Sequence, residues 1–442
     1  MEEAASNTIK ISQRTLIFPS RTPFSQNHAL PLSPLDNDPN LRLTFRYLRL
    51  YISSQPDPYS LISSSLSQAL LHYYPLAGTL RYRLHDNRLE NWCAAGQGVP
   101  LIRATAADIS LESVNYLDDP DFSFVEQLVP DPGPDEGMEH PCMLQITVFG
   151  CGGFTLGAAM HHALNDGMGG SLFFSAVAEL ARGSSRISVE PVWNREVLLG
   201  ARNPPRVESA LVGEFLSLEK GVLPYQADAG DVVRECFHVQ EESLEAFRRS
   251  LFEQSGLKFT TFEVLAAYVW RSKVRASEMK DNEKVKLAYS VNIRRVVKPA
   301  LPDGYWGNGC VPMYVEVSVK DLIERPIWET AELIKKSKSN VSDEYVRSFI
   351  DFQAVHYGDG ITAGNRVTGF TDWRHLGHSS VDFGSGGPVT VLPLGRNLLG
   401  SVHPCFFLPY STATKKEGFK VLVTLPQPAL PAFREDMHVF SP

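Results

Sequence analysis

The stretch FTLGAAMHHALNDGMGGSLFFSAVAELARG, residues 154–183, decides the fold of this 442-residue chain. It opens as an apolar run of strand length, and after a series of glycines it continues as a helical pattern that ends at Gly183. His161 and His162 stand side by side where the strand ends, and Asp166 follows. Successive side chains of an extended segment point to opposite sides, so only one of the two histidines can enter a given cavity. The glycines allow backbone or ligand to approach closely, which makes this junction a candidate site.

Both halves of the chain mix strands and helices, which indicates an α/β protein. In the first half, Asp57 and Pro58 open a helical pattern. In the second, Thr260 and Glu263 form a capping-box signature before a helix that runs to about residue 276. Residues 184–230 are rich in proline, glycine and charge and show no sustained periodicity. We therefore predict one domain over 1–183, a crossover linker over 184–230 and a second domain over 231–442.

The composition limits the classes of binding partner and the cellular compartment that the protein can be expected to have. The formal net charge of −8 argues against nucleic acid or an anionic membrane as the main partner. Residues 141–165 carry no formal charge, but their glycines and polar side chains favour a buried strand–turn–strand over a membrane helix. The first ten residues are acidic and lack an apolar core, and the six cysteines are scattered. We therefore expect a cytoplasmic protein with free thiols and no signal peptide.

Several familiar catalytic motifs are missing. The sequence contains no G-x-S-x-G, which excludes the usual serine hydrolase elbow. GDGITAG, residues 358–364, nearly matches a dinucleotide fingerprint, but its spacing is wrong and no strand leads into it. The adjacent histidines cannot easily share one ion because they face opposite ways. We expect neither a metal site nor a permanently bound cofactor.

A resemblance covers essentially the whole chain. His162 to Asp166 reads as H-x-x-x-D, and VDFGSGGP at 381–388 resembles a D-F-G-W-G motif. Other pieces follow in order: LPLSPLDND, YYPLAGTLR, CGGFTLG, EPVWNRE, VNIRRVVKPALPDGYWGN and TDWRHLG. Together these segments resemble the plant BAHD acyltransferases.

The resemblance implies a fold and a reaction. It implies two chloramphenicol-acetyltransferase-like domains with a solvent tunnel between them, and a monomer that uses acyl-CoA as co-substrate. The acyl group would pass to a hydroxyl of a plant specialised metabolite, with His162 as general base. A neutral imidazole suits that task. Asp166 could orient His162 in the catalytic site, but the family reading favours a structural role in which it pairs with an arginine.

The resemblance also assigns further residues. Trp373 matches a tryptophan whose indole N–H faces the oxyanion, and Thr371 would line the same channel. Arg294 would pair with Asp382 of the second motif, which also contains Gly384, while Ser385 replaces the motif tryptophan. Coenzyme A needs local cations and polar groups, for which the candidates are Thr260, Thr261, Arg295 and Lys298.

The acceptor stays open at this stage. The alternative to an alcohol is a polyamine or another amine, which would call for carboxylates in the acceptor channel, because such amines are mostly protonated near pH 7. A second alternative is a catalytically weak paralogue that only binds acyl-CoA or a small molecule. The sequence does not distinguish acetyl, benzoyl and hydroxycinnamoyl donors, nor does it fix the oligomeric state. The acidic candidates lie in NYLDDPDF and PDPGPDEGMEHP: Asp118, Asp119, Asp121, Asp135 and Glu136.

Overall fold

The structure is a computed structural model, and it describes residues 9–52, 57–218, 232–277, 279–359, 361–364, 366–395, 404–413 and 417–441. The strands are β1 (Lys10–Ile17), β2 (His28–Pro31), β3 (Thr44–Tyr51), β4 (Thr79–Tyr82), β5 (Leu89–Cys93), β6 (Val99–Ala106), β7 (Cys142–Phe149), β8 (Phe154–His161), β9 (Ser217–Leu218), β10 (Val232–Val239), β11 (Lys284–Asn292), β12 (Cys310–Ser318), β13 (Ile361–Thr362), β14 (Val367–Asp372), β15 (Thr390–Pro393), β16 (Cys405–Pro409) and β17 (Phe419–Pro426). The α-helices are α1 (Pro58–Ala69), α2 (Phe122–Val125), α3 (Pro134–Glu139), α4 (Gly167–Ala181), α5 (Arg195–Leu199), α6 (Ala210–Phe215), α7 (Glu241–Ser255), α8 (Thr261–Ala276), α9 (Val319–Glu324), α10 (Ile327–Lys338), α11 (Asp343–Val355) and α12 (Leu430–Met437).

The first domain is built on a sheet in the order β1-β6-β7-β8-β3-β15. The uncharged stretch forms β7 and β8, which pair antiparallel, and every residue of β8 is buried. Such a strand reads as a continuous apolar run because both of its faces are covered. The predicted strand–turn–strand is confirmed, and among the described residues no helix is both long and apolar enough to cross a membrane.

The helices of the first domain begin where their caps predict. The Asp57 side chain accepts a hydrogen bond from Ser60 N, with Pro58 at the first helical position of α1. The Asp166 side chain caps α4 by accepting from Gly169 N. Each cap satisfies a backbone N–H that the helix leaves without a partner. The turn after β8 therefore starts α4 directly behind the two histidines.

The second domain repeats the arrangement with a sheet in the order β10-β17-β16-β14-β11-β12. Its central helix, α8, starts with the predicted capping box, in which Thr260 and Glu263 satisfy each other's backbone N–H groups. Trp270 and Val264 of α8 are fully buried in the core of this domain. Each domain thus has a mixed sheet with its own hydrophobic core.

The predicted domain boundaries need one correction. Strand β15, from the segment assigned to the second domain, pairs antiparallel with β3 and joins the first sheet. Val381, Phe383 and Leu392 pack in the first core. A strand pattern shows which residues form a strand but not which sheet it joins, so the sequence could not reveal this exchange. The linker 184–218 holds α5, α6 and β9, and residues 219–230 lie outside the described part of the chain.

Candidate active site

A cavity of about 490 Å³ lies where the two domains meet. The first domain supplies the segment 38–47 and the turn 160–168 to its wall. The second domain supplies β11, β12, α11 and the end of β14. A cavity walled by both domains is the position that the sequence analysis expects for the tunnel.

His162 lies on the wall of this cavity. Its backbone N–H donates to Leu43 O at 2.8 Å, and its carbonyl accepts from Asn308 Nδ2 at 2.9 Å. The ring packs edge-on against Phe45, with centroids 5.8 Å apart. Burial lowers the pKa of His162, and the effects of its own backbone carbonyl and of Asp166 only partly oppose this. The imidazole is therefore neutral near pH 7 and faces the space where two substrates could meet.

His161 faces the other way and does not line the cavity. It is only 4% exposed, and its Nδ1 accepts from Ala163 N at 3.3 Å. Burial and the neighbouring His162 lower the pKa of His161 to about 3. The alternation expected from an extended segment therefore separates the two histidines into a cavity residue and a core residue.

Asp166 is held by Arg294 and does not contact the ring of His162 through any hydrogen bond that the structure shows. Two guanidinium nitrogens of Arg294 donate to its two carboxylate oxygens, each at 2.9 Å, and Gly309 N adds a third contact at 2.9 Å. Burial alone would raise the pKa of Asp166, but Arg294 and the backbone N–H groups outweigh it and keep that pKa low. Asp166 thus ties the turn after β8 to the second domain.

The predicted pair between Arg294 and Asp382 is wrong, because Arg294 is committed to Asp166. Asp382 instead accepts from the backbone N–H groups of Gly384, Ser385 and Gly386 at 2.7 to 3.0 Å. Arg182 donates to the carbonyl of Asp382, which joins this loop to the end of α4. Gly384 has a φ of +107°, which a residue with a side chain rarely adopts. The second motif is therefore a self-capped surface loop, and Ser385 is exposed on it.

Trp373 and Thr371 both line the cavity. Trp373 is 8% exposed, and its ring lies 5.8 Å from Phe45, which itself contacts His162. The Trp373 backbone N–H donates to Phe407 O at 2.9 Å, which continues the pairing of β14 with β16. The structure thus places Trp373 and Thr371 on the wall of the same cavity as His162.

The four predicted coenzyme A contacts separate into two pairs. Thr260 and Thr261 stand at the start of α8, and the next residue, Phe262, lines the cavity together with Lys338. Arg295 pairs with Asp303 at 2.6 Å, and both side chains are more than 70% exposed. Lys298 is exposed and donates its backbone N–H to Asp343 at 2.8 Å. Only the first pair adjoins the cavity wall, so Arg295 and Lys298 are not supported as contacts there.

The acidic residues considered for an amine acceptor do not line the cavity. Asp118 is fully buried and pairs with Lys420 at 2.8 Å, and Asp119 contacts His238. Asp121 caps α2, and Asp135 and Glu136 stand in the first turn of α3, where Glu136 pairs with Arg14 at 2.6 Å. The carboxylates of the cavity wall are others: Asp38, Asp166 and Asp372.

The sequence did not reveal the residues that hold the backbone of His162 in place. Asn308 holds the His162 carbonyl and in turn donates to Asp36 at 2.9 Å. Asp36 also pairs with Arg195 at 3.2 Å, and both side chains are fully buried. Asn308 is 146 residues away from His162 in the chain, so no local sequence pattern could indicate their contact.

His378 was also missed. Its ring lines the cavity 4.7 Å from that of Trp373, and it is 2% exposed. Its Nδ1 lies 2.8 Å from Arg49 Nη2. A guanidinium can only donate, so Nδ1 accepts, and the neutral ring carries its proton on Nε2. Burial, and then the charge of Arg49, lowers the pKa of His378 well below its usual range.

Comparisons with known proteins identify the family of the chain. A model of the Transferase family matches residues 7–440. A spermidine coumaroyl-CoA acyltransferase of Arabidopsis thaliana is 33% identical, with 92% of this chain and 91% of that protein covered. A taxadien-5-alpha-ol O-acetyltransferase of Taxus chinensis is 30% identical, with 97% of this chain and 96% of that protein covered.

Solved structures show the same fold. Vinorine synthase superposes with a TM-score of 0.72 at 20% identity and covers 96% of each chain. TRI101 of F. graminearum, complexed with Coenzyme A and deoxynivalenol, superposes with a TM-score of 0.77 at 13% identity, over 92% of this chain and 97% of that one. With the family match over nearly its whole length, the chain belongs to the Transferase family of BAHD acyltransferases and is an acyl-transferring enzyme.

Proposed function

We propose that this enzyme transfers an acyl group from a CoA thioester directly to a nucleophile bound in the cavity, with His162 as general base. The observation that carries the proposal is a neutral imidazole on a cavity wall shared by both domains. The structures complexed with Coenzyme A belong to relatives with the same fold, which supports acyl-CoA as co-substrate. No permanently bound cofactor is needed for this chemistry.

The reaction has two steps. In the first, His162 takes a proton from the hydroxyl or amine of the acyl acceptor. The oxygen or nitrogen of the acceptor attacks the thioester carbonyl at the same time, which forms a tetrahedral oxyanion. In the second, the C–S bond breaks, and the imidazolium returns the proton to the departing CoA sulfur. A positioned general base contributes roughly 10²- to 10⁴-fold. The Trp373 indole N–H is the proposed donor to the oxyanion, a role that costs about 3–4 kcal/mol when removed.

The surrounding residues would position His162. Asn308 anchors its carbonyl, and Asp36 with Arg195 anchors Asn308. Asp166 and Arg294 join the two domains through their ion pair, and no hydrogen bond in the described structure links Asp166 to the His162 ring. Asp166 is therefore proposed as a structural residue and not as a member of a catalytic triad.

For coenzyme A we propose the side of the cavity where α8 begins. Thr260 and Thr261 offer hydroxyls beside the positive end of the helix dipole. Lys338 lines the wall there, and Lys335 binds Lys258 O at 2.8 Å. Lys338 also pairs with Glu263 at 2.7 Å, so Lys335, Lys338 and the helix dipole are the positive groups proposed for the CoA phosphates, beside one carboxylate. The acyl group, the monomeric state and the cytoplasmic location stay predictions.

Both acceptor classes occur among the relatives, since their names include spermidine acyltransferases and O-acetyltransferases. The first test is therefore broad. The purified enzyme is incubated with acetyl-, benzoyl- and coumaroyl-CoA and a panel of plant alcohols and amines, and products are identified by mass. Release of free CoA in step with an ester or amide supports transfer. A protein that binds acyl-CoA but releases no CoA with any acceptor would be the weak paralogue instead.

A further inference from the structure

The cavity wall contains a polar cluster in which two side-chain acceptors have no partner within the described residues. The cluster consists of Asp38, Asn40 and Gln353, all of which line the cavity. The side-chain oxygens Asn40 Oδ1 and Gln353 Oε1 are buried and have no partner within the described residues. Gln353 is only 2% exposed. Buried polar atoms are normally hydrogen-bonded, so two unpartnered oxygens in one place indicate a missing donor.

The orientation of the two amides follows from Asp38. Asn40 Nδ2 donates to Asp38 Oδ1 at 2.8 Å, and Gln353 Nε2 donates to Asp38 Oδ2 at 3.0 Å. A carboxylate cannot donate, so each amide must turn its nitrogen toward Asp38 and its oxygen away. Flipping either amide would place an oxygen against a carboxylate oxygen. The two unpartnered oxygens therefore follow from the hydrogen bonds to Asp38 and not from an arbitrary choice of amide orientation.

The cluster also carries a negative charge without an ion-pair partner in the described chain. The other cavity carboxylates are paired: Asp166 with Arg294 and Asp372 with Arg374. The nearest cation acting on Asp38 is Arg42, but its guanidinium lies over the Tyr357 ring at 4.7 Å and forms no ion pair with Asp38. Burial is the main cause that raises the pKa of Asp38, to about 6, so the carboxylate is costly to keep charged without a cation beside it.

A ligand that satisfies this cluster must bring donors, and a cation relieves its charge. An ammonium group has three donors and no acceptor, which matches an unpaired carboxylate flanked by two free amide oxygens. We propose that Asp38, Asn40 and Gln353 form a subsite for a protonated amine. The acceptor is then a linear polyamine whose distal ammonium binds there while its other end is acylated at His162. This inference rests on the proposed function of His162.

The spacing suits such a molecule. Residues 39–41 form a short 3₁₀ turn, and the chain then runs to Leu43, whose carbonyl binds His162 N. With about 2 Å of rise per 3₁₀ residue and at most about 3.5 Å per extended residue, the path from Asp38 to Leu43 is no longer than roughly 13 Å. The extended length of a polyamine with about eight backbone atoms between its terminal nitrogens is of the same order as this upper limit on the backbone path.

The chemistry at the other end is ordinary acyl transfer. The reacting nitrogen enters as a neutral amine, its lone pair forms the C–N bond, and the C–S bond breaks. His162 takes the extra proton from nitrogen and delivers it to the CoA sulfur. The ammonium held near Asp38 keeps the second charge of the polyamine away from His162, whose neutral form is required.

The test compares chains of equal length with and without the distal charge. Initial rates are measured for spermidine, 1,8-diaminooctane and 1-aminooctane with coumaroyl-CoA as the acyl donor. If the enzyme does not accept coumaroyl-CoA, acetyl-CoA or benzoyl-CoA takes its place. Asp38→Asn removes the charge, and its NH₂ group makes one flanking amide turn its oxygen inward, so the variant removes the charge and one free acceptor together. The control is Asp321→Asn, because Asp321 is a surface residue of α9, outside the cavity, whose half-exposed side chain pairs with Arg325. Spermidine binding to each protein is also measured by calorimetry in the presence of CoA.

We expect wild-type kcat/KM for 1,8-diaminooctane to exceed that for 1-aminooctane by about 10- to 100-fold, the range for a charge-assisted contact. Asp38→Asn should abolish this preference through KM with little change in kcat, and Asp321→Asn should keep it. Equal rates for the diamine and the monoamine in the wild-type enzyme would overturn the subsite, as would an unchanged preference in folded Asp38→Asn.

Failure of the subsite and failure of the proposed function are distinguishable. Acylation of alcohols but not of these amines would leave the function of His162 standing and overturn the ammonium subsite. If no acceptor of either class is acylated, the function itself fails. Should Asp38→Asn not fold, Gln353→Leu replaces it, since that variant removes one acceptor and should weaken spermidine binding several-fold while leaving 1-aminooctane unaffected.

Discussion

Replacing Asp166 by asparagine removes the ion pair that joins the turn after β8 to the second domain. Asp166 is 7% exposed, and its two oxygens accept from Arg294 twice, from Gly169 N and from Gly309 N. An asparagine can keep one oxygen for Gly169 N, but its NH₂ group then faces the donors Arg294 Nη1 and Gly309 N. Arg294 would remain buried with neutral acceptors alone, namely the retained amide oxygen and carbonyls such as Gly307 O at 3.0 Å.

The expected loss follows from that geometry. Breaking a buried ion pair by removing one partner costs about 3–5 kcal/mol, and the retained helix cap limits the damage by about 1 kcal/mol. We expect the Asp166→Asn protein to melt at least about 5 °C below the parent. Because the low pKa of Asp166 contributes stability only where the carboxylate is ionised, the difference from the parent should shrink as pH falls toward 4 and below.

The assay is thermal unfolding at pH 7 and pH 4, with kcat measured at a temperature where both proteins are folded. The matched control is Asp382→Asn, whose single Oδ1 caps three backbone N–H groups and can be reproduced by an amide oxygen. That control should melt within about 1 °C of the parent. An Asp166→Asn protein that melts like the parent yet has lost all activity would refute the structural role and place Asp166 in the catalytic machinery.

Three further outcomes follow. His161→Asn keeps an acceptor for Ala163 N but cannot bind a proton. Because the pKa of His161 is about 3 in the folded protein, the free energy of unfolding of the parent falls as pH drops below about 6.5. In urea titrations we expect the free energy of unfolding of the variant to fall by about 2 kcal/mol less than that of the parent between pH 7 and pH 5. A decline as steep as that of the parent would contradict the buried neutral state of His161. Ser385→Trp changes an exposed loop residue and should shift unfolding by less than about 0.5 kcal/mol with the ranking of acceptors by kcat/KM unchanged, whereas a new ranking would place the loop in the acceptor pocket. Rapid-quench kinetics should show no burst of free CoA without acceptor, and an acylated Cys or Ser found by mass spectrometry during turnover would argue against direct transfer.

The local parts of the fold could be predicted because they depend on neighbours in sequence. Asp57 with Pro58 and Thr260 with Glu263 signal their helices through contacts within one turn. The opposite facing of His161 and His162 follows from strand geometry alone. The family resemblance then supplied the place of His162 at the cavity between the domains.

The long-range pairings could not be predicted in the same way. Arg294 lies 128 residues from Asp166, and nothing in either segment indicates which carboxylate it meets. Asp382 was the expected partner by resemblance, but in the described contacts its Oδ1 caps its own loop and Arg294 pairs with Asp166. The exchange of β15 into the first sheet has the same cause, since edge pairing depends on the assembled sheet.

The acceptor cluster was missed for a related reason. Asp38 and Asn40 stand in the LSPLDND text, but Gln353 lies on α11, 315 residues away from Asp38. Only the folded chain shows that two amides donate to one carboxylate and leave their oxygens free. The acidic stretches that the sequence offers for an amine are satisfied elsewhere on the molecule.

The central claim is that His162 is the base and His161 is a core residue. The most direct measurement is kcat for acyl transfer, followed as amide or ester by mass, in folded His162→Ala and His161→Asn proteins. We predict that His162→Ala falls at least about 100-fold below the parent with an unchanged melting temperature, and that His161→Asn stays within a few-fold. Comparable losses in both variants, or a His162→Ala protein that retains parental kcat, would contradict the account.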